Sequence, residues 1–358
     1  MKETEMIKVS KSCFKFEWLS KYRGSLMGIE TMLIVVFHLV NACRTHNLHY
    51  TFIARFIYEY IGSSGVDVFL ILSGMGLYFS WEKNQDYRNF YKKRYLRVLV
   101  PYAIIALIGW GIRDLVFDTS VVDFLKDITF ITFFTQGERW FWYIIMIAIC
   151  YLIFPHIFYI FEKAEDYISE QIRLIFLCLF NTIIVMLLEL YCEDLYNNIS
   201  VALLRFTPFF LGCYWGKVVF EKRKTSIMNI ITFIILSFII AGPLELRSTK
   251  LLMRYSLTTI NISICFLILF LFEYGVRREK IKKVINFVRV CCEKIGAYSL
   301  EVYLCHVMIF TIMNELGVTI ALYRYGCLML LLTIIMSVLL KKISEYVIAK
   351  VKNNYKFV

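Results

Sequence analysis

Proline is scarce in this 358-residue chain, with four in all, and no serine- or glycine-rich tract interrupts it. Nothing in it therefore reads as a flexible linker to a second soluble domain. Internal repeats and low-complexity segments are missing. So are CxxC pairs and Cys/His groupings at metal-ligand spacing. The eleven cysteines fall mostly inside apolar runs, as Cys150, Cys213 and Cys265 do, where a thiol packs as a small hydrophobe. No metal site and no permanently bound cofactor are expected, and the adjacent pair Cys291–Cys292 receives no role. The first twenty-odd residues are charged and lack a small-x-small cleavage signature, so the first apolar run is expected to act as its own uncleaved signal. Charge itself is thin: 19% of residues are charged against 59% hydrophobic, and the mean hydropathy is +0.64. A soluble domain is nearer half apolar, so the composition points to a polytopic membrane protein.

The charge that is present is lopsided, with a formal net charge of +12. In a soluble protein this would suggest nucleic acid. Here the lysines and arginines sit between apolar runs, and orientation in a bilayer explains them better. Ten runs reach about the 20 residues that a span needs: 24–43, 61–81, 98–117, 140–161, 172–191, 199–220, 227–243, 255–275, 297–316 and 321–340. Most basic residues fall in alternate connections, in the N-terminal segment and in the tail, whereas the connection over 192–198 has none. The positive-inside rule then places both termini in the cytoplasm. The bilayer core admits only helices or closed barrels, and these runs are twice the length of a barrel strand. The expectation is an all-α polytopic bundle of about ten transmembrane helices over 24–340. A cytoplasmic N-terminal segment (1–23) and a basic cytoplasmic tail (341–358) flank it, in the plasma or inner membrane.

Four polar groups fall at depth in these runs. At 1.5 Å per residue, His38 lies about 21 Å from the cytoplasmic end of the first span, and Asp67 lies at a similar height on the second. Arg205 matches them on the sixth span, and His306 lies about 14 Å up the ninth. Ionisable groups inside a membrane face protein or a watery cavity and are functional candidates. Imidazole changes charge near neutral pH, which suits it to moving protons. His38 reads either so or as a packing residue bonded to a backbone carbonyl. Asp67 reads as an orienting or relaying carboxylate, or as a structural partner for Arg205. Arg205 itself suits a substrate clamp or a structural role, because guanidinium does not deprotonate. Glu30 lies roughly 80° round the helix from His38 and reads as a bundle contact.

Two stretches add to this. Gly65–Gly76, GVDVFLILSGMG, contains Ser73 and glycines that let helices approach closely. Phe90–Tyr102, FYKKRYLRVLVPY, gathers Lys93, Arg94 and Arg97 at the cytoplasmic mouth of the third span. Arg94 and Arg97 are i and i+3 and share a helix face. They read either as a bidentate grip on phosphate or as topology charge touching lipid head groups.

In these residues the chain resembles the acyltransferase family 3 membrane proteins. His38 stands near the end of the first span. Gly65, Asp67, Phe69, Ser73 and Gly74 form a G-x-D-x-F-x-x-x-S-G pattern. Phe90, Tyr91, Arg94, Arg97 and Pro101 form F-Y-x-x-R-x-x-R-x-x-x-P, and Tyr298, Ser299, Tyr303, Leu304 and His306 form Y-S-L-x-x-Y-L-x-H. Trp140–Phe141 and the Arg205…Gly212 stretch fit more loosely. The resemblance implies transfer of an acyl group, commonly acetyl, from cytoplasmic acyl-CoA as co-substrate to a hydroxyl of a cell-surface or extracellular glycan or glycolipid. It implies that His38 is catalytic and that Arg94 and Arg97, with Lys93, hold the coenzyme A phosphates. The family commonly has an arginine eleven residues before the histidine. This chain has Met27 there, and its nearest arginine is Arg23. Some members carry an extra esterase-like domain, for which these segments leave no room.

The expected chemistry follows. His38 activates the acceptor hydroxyl or relays the acyl group as an acyl-imidazole, with Asp67 or His306 orienting it. Arg205, Ser73 and Trp140 are candidates for contact with substrate. The expected partners are acyl-CoA, the glycan or glycolipid acceptor and the lipid bilayer, not nucleic acid; a homo-oligomer is compatible with such a bundle. The rival is a glycolipid or small-solute transporter or flippase. Transporters often show repeats and paired broken helices, and here only Pro208 and Pro243 offer breaks.

Overall fold

The computed structural model describes residues 13–45, 51–61, 65–247, 249–316 and 322–354. Residues 1–12 of the N-terminal segment and 355–358 of the basic tail lie outside the described residues. A strand β1 (Cys13–Lys15) and a short helix α1 (Glu17–Lys21) lead into α2 (Arg23–Thr45). A helical turn α3 (Phe52–Phe56) with a π-helical extension over 57–61 precedes α4 (Gly65–Lys83) and α5 (Tyr87–Trp110). A π-helical stretch over 111–117 and two short helices, α6 (Val121–Ile128) and α7 (Ile131–Thr135), follow. Then come α8 (Trp142–Glu162), α9 (Tyr167–Tyr191), α10 (Glu193–Leu203) and α11 (Phe206–Phe220). Strand β2 (Lys224–Ser226) precedes α12 (Ile227–Arg247), α13 (Lys250–Val276), α14 (Glu279–Gly296), α15 (Ser299–Glu315) and α16 (Leu322–Asn354).

Polar residues at the bundle ends define where helices start. Asp86 accepts from the N–H groups of Arg88 (2.9 Å) and Asn89 (3.3 Å) and so starts α5. Asp166 and Ser169 form a capping box at α9. Both satisfy amides that have no partner within the helix. The start of α5 at Tyr87 puts the basic stretch over 90–97 on the same rod as the apolar run after it.

The bundle is all-helical apart from β1 and β2, which pair antiparallel with Phe14 opposite Thr225. Phe14 is fully buried, edge-on to Trp18 and Phe266, and fastens the N-terminal segment to the bundle. Among the described residues, six helical units are long and apolar enough to cross a membrane: α2, 87–117, α8, α9, 193–220 and α13. Counting α14 and α15 as one bent span makes seven. The sequence expectation was about ten. The difference lies partly in α4 and α12. The 19-residue α4 carries Asp67 and is buried among other helices along much of its length. Among the described residues, the apolar part of α12 that passes as a shorter apolar helix is Ile227–Ala241.

Glycine sets two close approaches. On α11, a Cβ at Gly212 would lie 2.3 Å from the Ile71 carbonyl oxygen of α4. On α2, a Cβ at Gly28 would lie 1.8 Å from the Cys292 carbonyl oxygen of α14. Only a residue without a side chain lets these backbones meet.

Candidate active site

A cavity of ≈ 340 Å³ runs between α2, α4, α5, α8 and α15, with the end of α14 at its mouth. Each helix presents one stripe to it, spaced by three or four residues, as a single helix face requires. On α2 the stripe is Arg23, Met27, Thr31 and Ile34. On α4 it is Val66, Phe69, Ser73 and Leu77, running the opposite way. Tyr143, Ile147 and Tyr151 come from α8, and Ser299, Leu300, Tyr303 and His306 from α15. Arg94, Arg97 and Val98 come from α5. Read by height, these stripes agree: the arginines lie at one end and Ile34, Val66, Tyr143 and His306 at the other.

At the far end the imidazoles of His38 and His306 face each other, ring centroids 5.1 Å apart and planes at 57°. His38 continues the α2 stripe one turn beyond Ile34. His306 is buried, and its Nδ1 lies 2.7 Å from the Val302 carbonyl oxygen. A carbonyl only accepts, so Nδ1 carries the proton and Nε2 of the neutral ring holds the lone pair. That Nε2 is buried and has no hydrogen-bond partner among the described residues. The neutral ring therefore offers a proton-accepting nitrogen at the end of a cavity it lines.

At the mouth three guanidinium groups converge. Arg23 Nε donates at 3.1 Å to the carbonyl oxygen of Leu72, the residue before Ser73. Arg94 lies over the Phe90 ring with its Nε buried and unpartnered among the described residues. Arg97 is exposed at the rim. None of the three forms an ion pair among the described residues. Glu293 also lines this mouth but pairs with none of them; like charges held together with no carboxylate in ion-pair range make an anion site, and the planar guanidinium matches phosphate.

The other sequence candidates separate from this cavity. Asp67 is fully buried but points to α11 and α13, where it bonds Arg254, accepts from Thr258 Oγ1 at 2.6 Å, and lies 3.2 Å from Arg205 Nε. Arg205 also covers the Trp142 ring at 4.7 Å. Asp67 and Arg205 thus meet each other, as the structural alternative had it, but not the cavity. Trp140 stacks on Trp110 at 4.3 Å, and Arg113 lies over both rings. Arg113 in turn binds Asp114 (2.7 Å), Glu138 (2.8 Å) and Asp127, closing a cap beyond the histidine end. Burial pushes the Asp127 carboxyl up to about 6; Thr132 and Arg113 oppose this and Asp114 adds to it. Lys93 is exposed and not part of the cavity wall. Of the expected site residues, the structure brings Arg94, Arg97, Ser73 and His306 onto one cavity with His38 at its end. Glu30 is buried near Cys265 (3.8 Å), outside the cavity lining.

Sequence reasoning missed Arg254, which lies one residue before the expected start of its span; its i+4 relation to Thr258 was the available signal. It also missed the cavity tyrosines Tyr143 and Tyr151, which look like ordinary aromatic residues in an apolar run; Tyr303, part of the ninth-span pattern, joins them in the cavity.

The pattern of an acyltransferase domain, that of the acyltransferase 3 family, matches residues 28–342. The chain belongs to that family. No curated protein and no solved structure matches it. The matched segment takes in the helices that line the cavity apart from the first residues of α2, with Arg23, Gly24 and Met27, so the acyltransferase is a membrane-embedded enzyme that moves a non-aminoacyl acyl group.

Proposed function

We propose that this acyltransferase takes an acyl group, acetyl in the simplest case, from acyl-CoA and transfers it to a hydroxyl of a cell-surface or extracellular glycan or glycolipid. The supporting observation is the single cavity with three arginines without ion-pair partners at one end and two imidazoles at the other. In this reading the arginine end is cytoplasmic, both termini lie on that side, and the enzyme sits in the plasma or inner membrane. The coenzyme phosphates rest on Arg94 and Arg97, with Arg23 further in, and the thioester extends along the stripe past Ser73 and Tyr143. Asp67 and Arg205 then act at a distance, holding α4 in place, and Trp140 supports the outer cap.

An alcohol is a poor nucleophile until a base accepts its proton. His38 takes that proton as the oxygen attacks the thioester carbonyl. The carbon–sulfur bond breaks, and the proton passes from the imidazole to the departing thiolate. His306, with Nδ1 tied to Val302, keeps Nε2 turned to the reaction and steadies the charged ring of His38. His38→Ala should lower acylation by roughly 10²–10⁴-fold, the range for loss of a general base. Membrane insertion and elution volume in detergent should be unchanged. The measurement is added acyl mass on surface glycan and lipid from cells making each form. Full acylation by the variant would remove the histidine from the chemistry.

A further inference from the structure

The sequence reads 276–296 as a basic connection, but the chain folds most of it into α14. This 18-residue helix is too polar to cross a bilayer alone and is bent by 64° from α15, the span that carries His306. Set against an α15 running along the membrane normal, that bend lays α14 nearer the membrane plane. Its inner face is fixed against α2: Gly296 meets the Gly24 carbonyl, Cys292 meets Gly28, and Ser25 Oγ donates to the Arg289 carbonyl at 3.1 Å.

The outer face has an unusual composition. Phe287 is 70% exposed and Val284 62%. Lys280, Lys283, Phe287, Val290 and Lys294 form one exposed stripe at spacings of three and four. Water is a poor neighbour for Phe287 and Val284. A second copy of the same stripe would set lysine against lysine. Phospholipid of negative charge satisfies both halves: hydrocarbon takes the aromatic and branched side chains, while lysine stems run along the apolar surface and carry their ammonium groups to the phosphates.

We propose that the outer stripe of α14 is a binding site for anionic phospholipid in the leaflet on the basic side. Phe287 and Val284 sit in the acyl region, and Lys280, Lys283 and Lys294 sit on head-group phosphates. Glu293 and Gly296, on the neighbouring face, line the cavity mouth. A lipid seated on α14 therefore holds one wall of the opening through which a donor must pass.

The test uses the full chain carrying Phe287→Trp, reconstituted in phosphatidylcholine vesicles. These contain equal mole fractions of either brominated phosphatidylglycerol or brominated phosphatidylcholine. Quenching of the added tryptophan is read against the parent chain. The expected result is stronger quenching by the anionic lipid, with enrichment on the order of fivefold per engaged lysine. Adding Lys280→Gln, Lys283→Gln and Lys294→Gln, all at exposed positions, should equalise the two lipids. Equal quenching before those changes would overturn the preference for anionic lipid. No quenching by either lipid would overturn the site altogether, in favour of water or a protein partner on that face. The readout needs no acyl donor, so its failure would leave the acyl-transfer reading standing.

Discussion

Two groups of arginine occupy this bundle, and they are built in opposite ways. Arg205 and Arg254 close on the carboxylate of Asp67, with Thr258 completing its shell, among tightly packed helices. Arg23, Arg94 and Arg97 close on nothing anionic among the described residues and face an open cavity. A guanidinium held by a carboxylate has its charge answered within the fold and joins helices together. A cluster of guanidinium groups left without one carries a standing repulsion, which a bound anion relieves. The contrast in partners sets the two groups apart more sharply than residue type does, because both are made of arginine.

The sharpest way to break the comparison is to remove the answering charge. Asp67→Ala leaves two guanidinium groups facing each other in a packed interior and should cost about 3–5 kcal/mol, as truncating one partner of a buried pair does. The measurement is the thermal midpoint in detergent together with the yield of monodisperse protein. An unchanged midpoint would mean that Asp67 is not a structural tie. The converse change, Arg94→Ala with Arg97→Ala, should leave the midpoint level or slightly higher, since it relieves repulsion. The same pair should raise the donor KM about 10–100-fold, in keeping with about 1.5–3 kcal/mol for a hydrogen bond to a charged group. Falling stability with an unaltered KM would reverse the assignment of the two groups.

The smallest effect belongs to the outer cap, where one arginine faces three carboxylates. Asp127 holds its proton up to about 6, above the ordinary carboxylate value, chiefly because it is buried. A group raised in the fold contributes stability at low pH that is lost as pH rises through its folded value. Amide protection factors across 118–141, corrected for the intrinsic pH dependence of exchange, should therefore be higher at pH 5 than at pH 7.5, by less than about tenfold. Asp127→Asn should flatten that dependence. A cap that loosens toward low pH would contradict the assignment.

How much of this was written in the sequence differs from part to part. The all-helical membrane bundle follows from run length and composition, which need no partners to be interpreted. Arg94 with Arg97, and the depth of His38 and His306, follow from helical spacing on single elements. Which way Asp67 points does not: its partners come from α11 and α13, 138 or more residues away, and only packing decides between neighbouring helices. The span count is less legible for the same reason. A segment such as α4 looks lipid-facing by hydropathy but is wrapped by protein. α14 was hidden because its charges mask an apolar period that shows only once its inner face is docked on α2.

The ordering of the cavity stripes has a consequence for what can serve as donor. From Arg23 to Ile34 the α2 stripe climbs eleven residues, about 17 Å at helical rise. A molecule whose anionic group and activated carbonyl are neighbours, such as an acyl phosphate, can touch the basic rim or the imidazole pair, never both at once. On the proposed assignment of the two ends, only a long, slender carrier with its charge at one tip and its cargo at the other spans the distance, and the cavity would measure its donor by length before any chemistry begins.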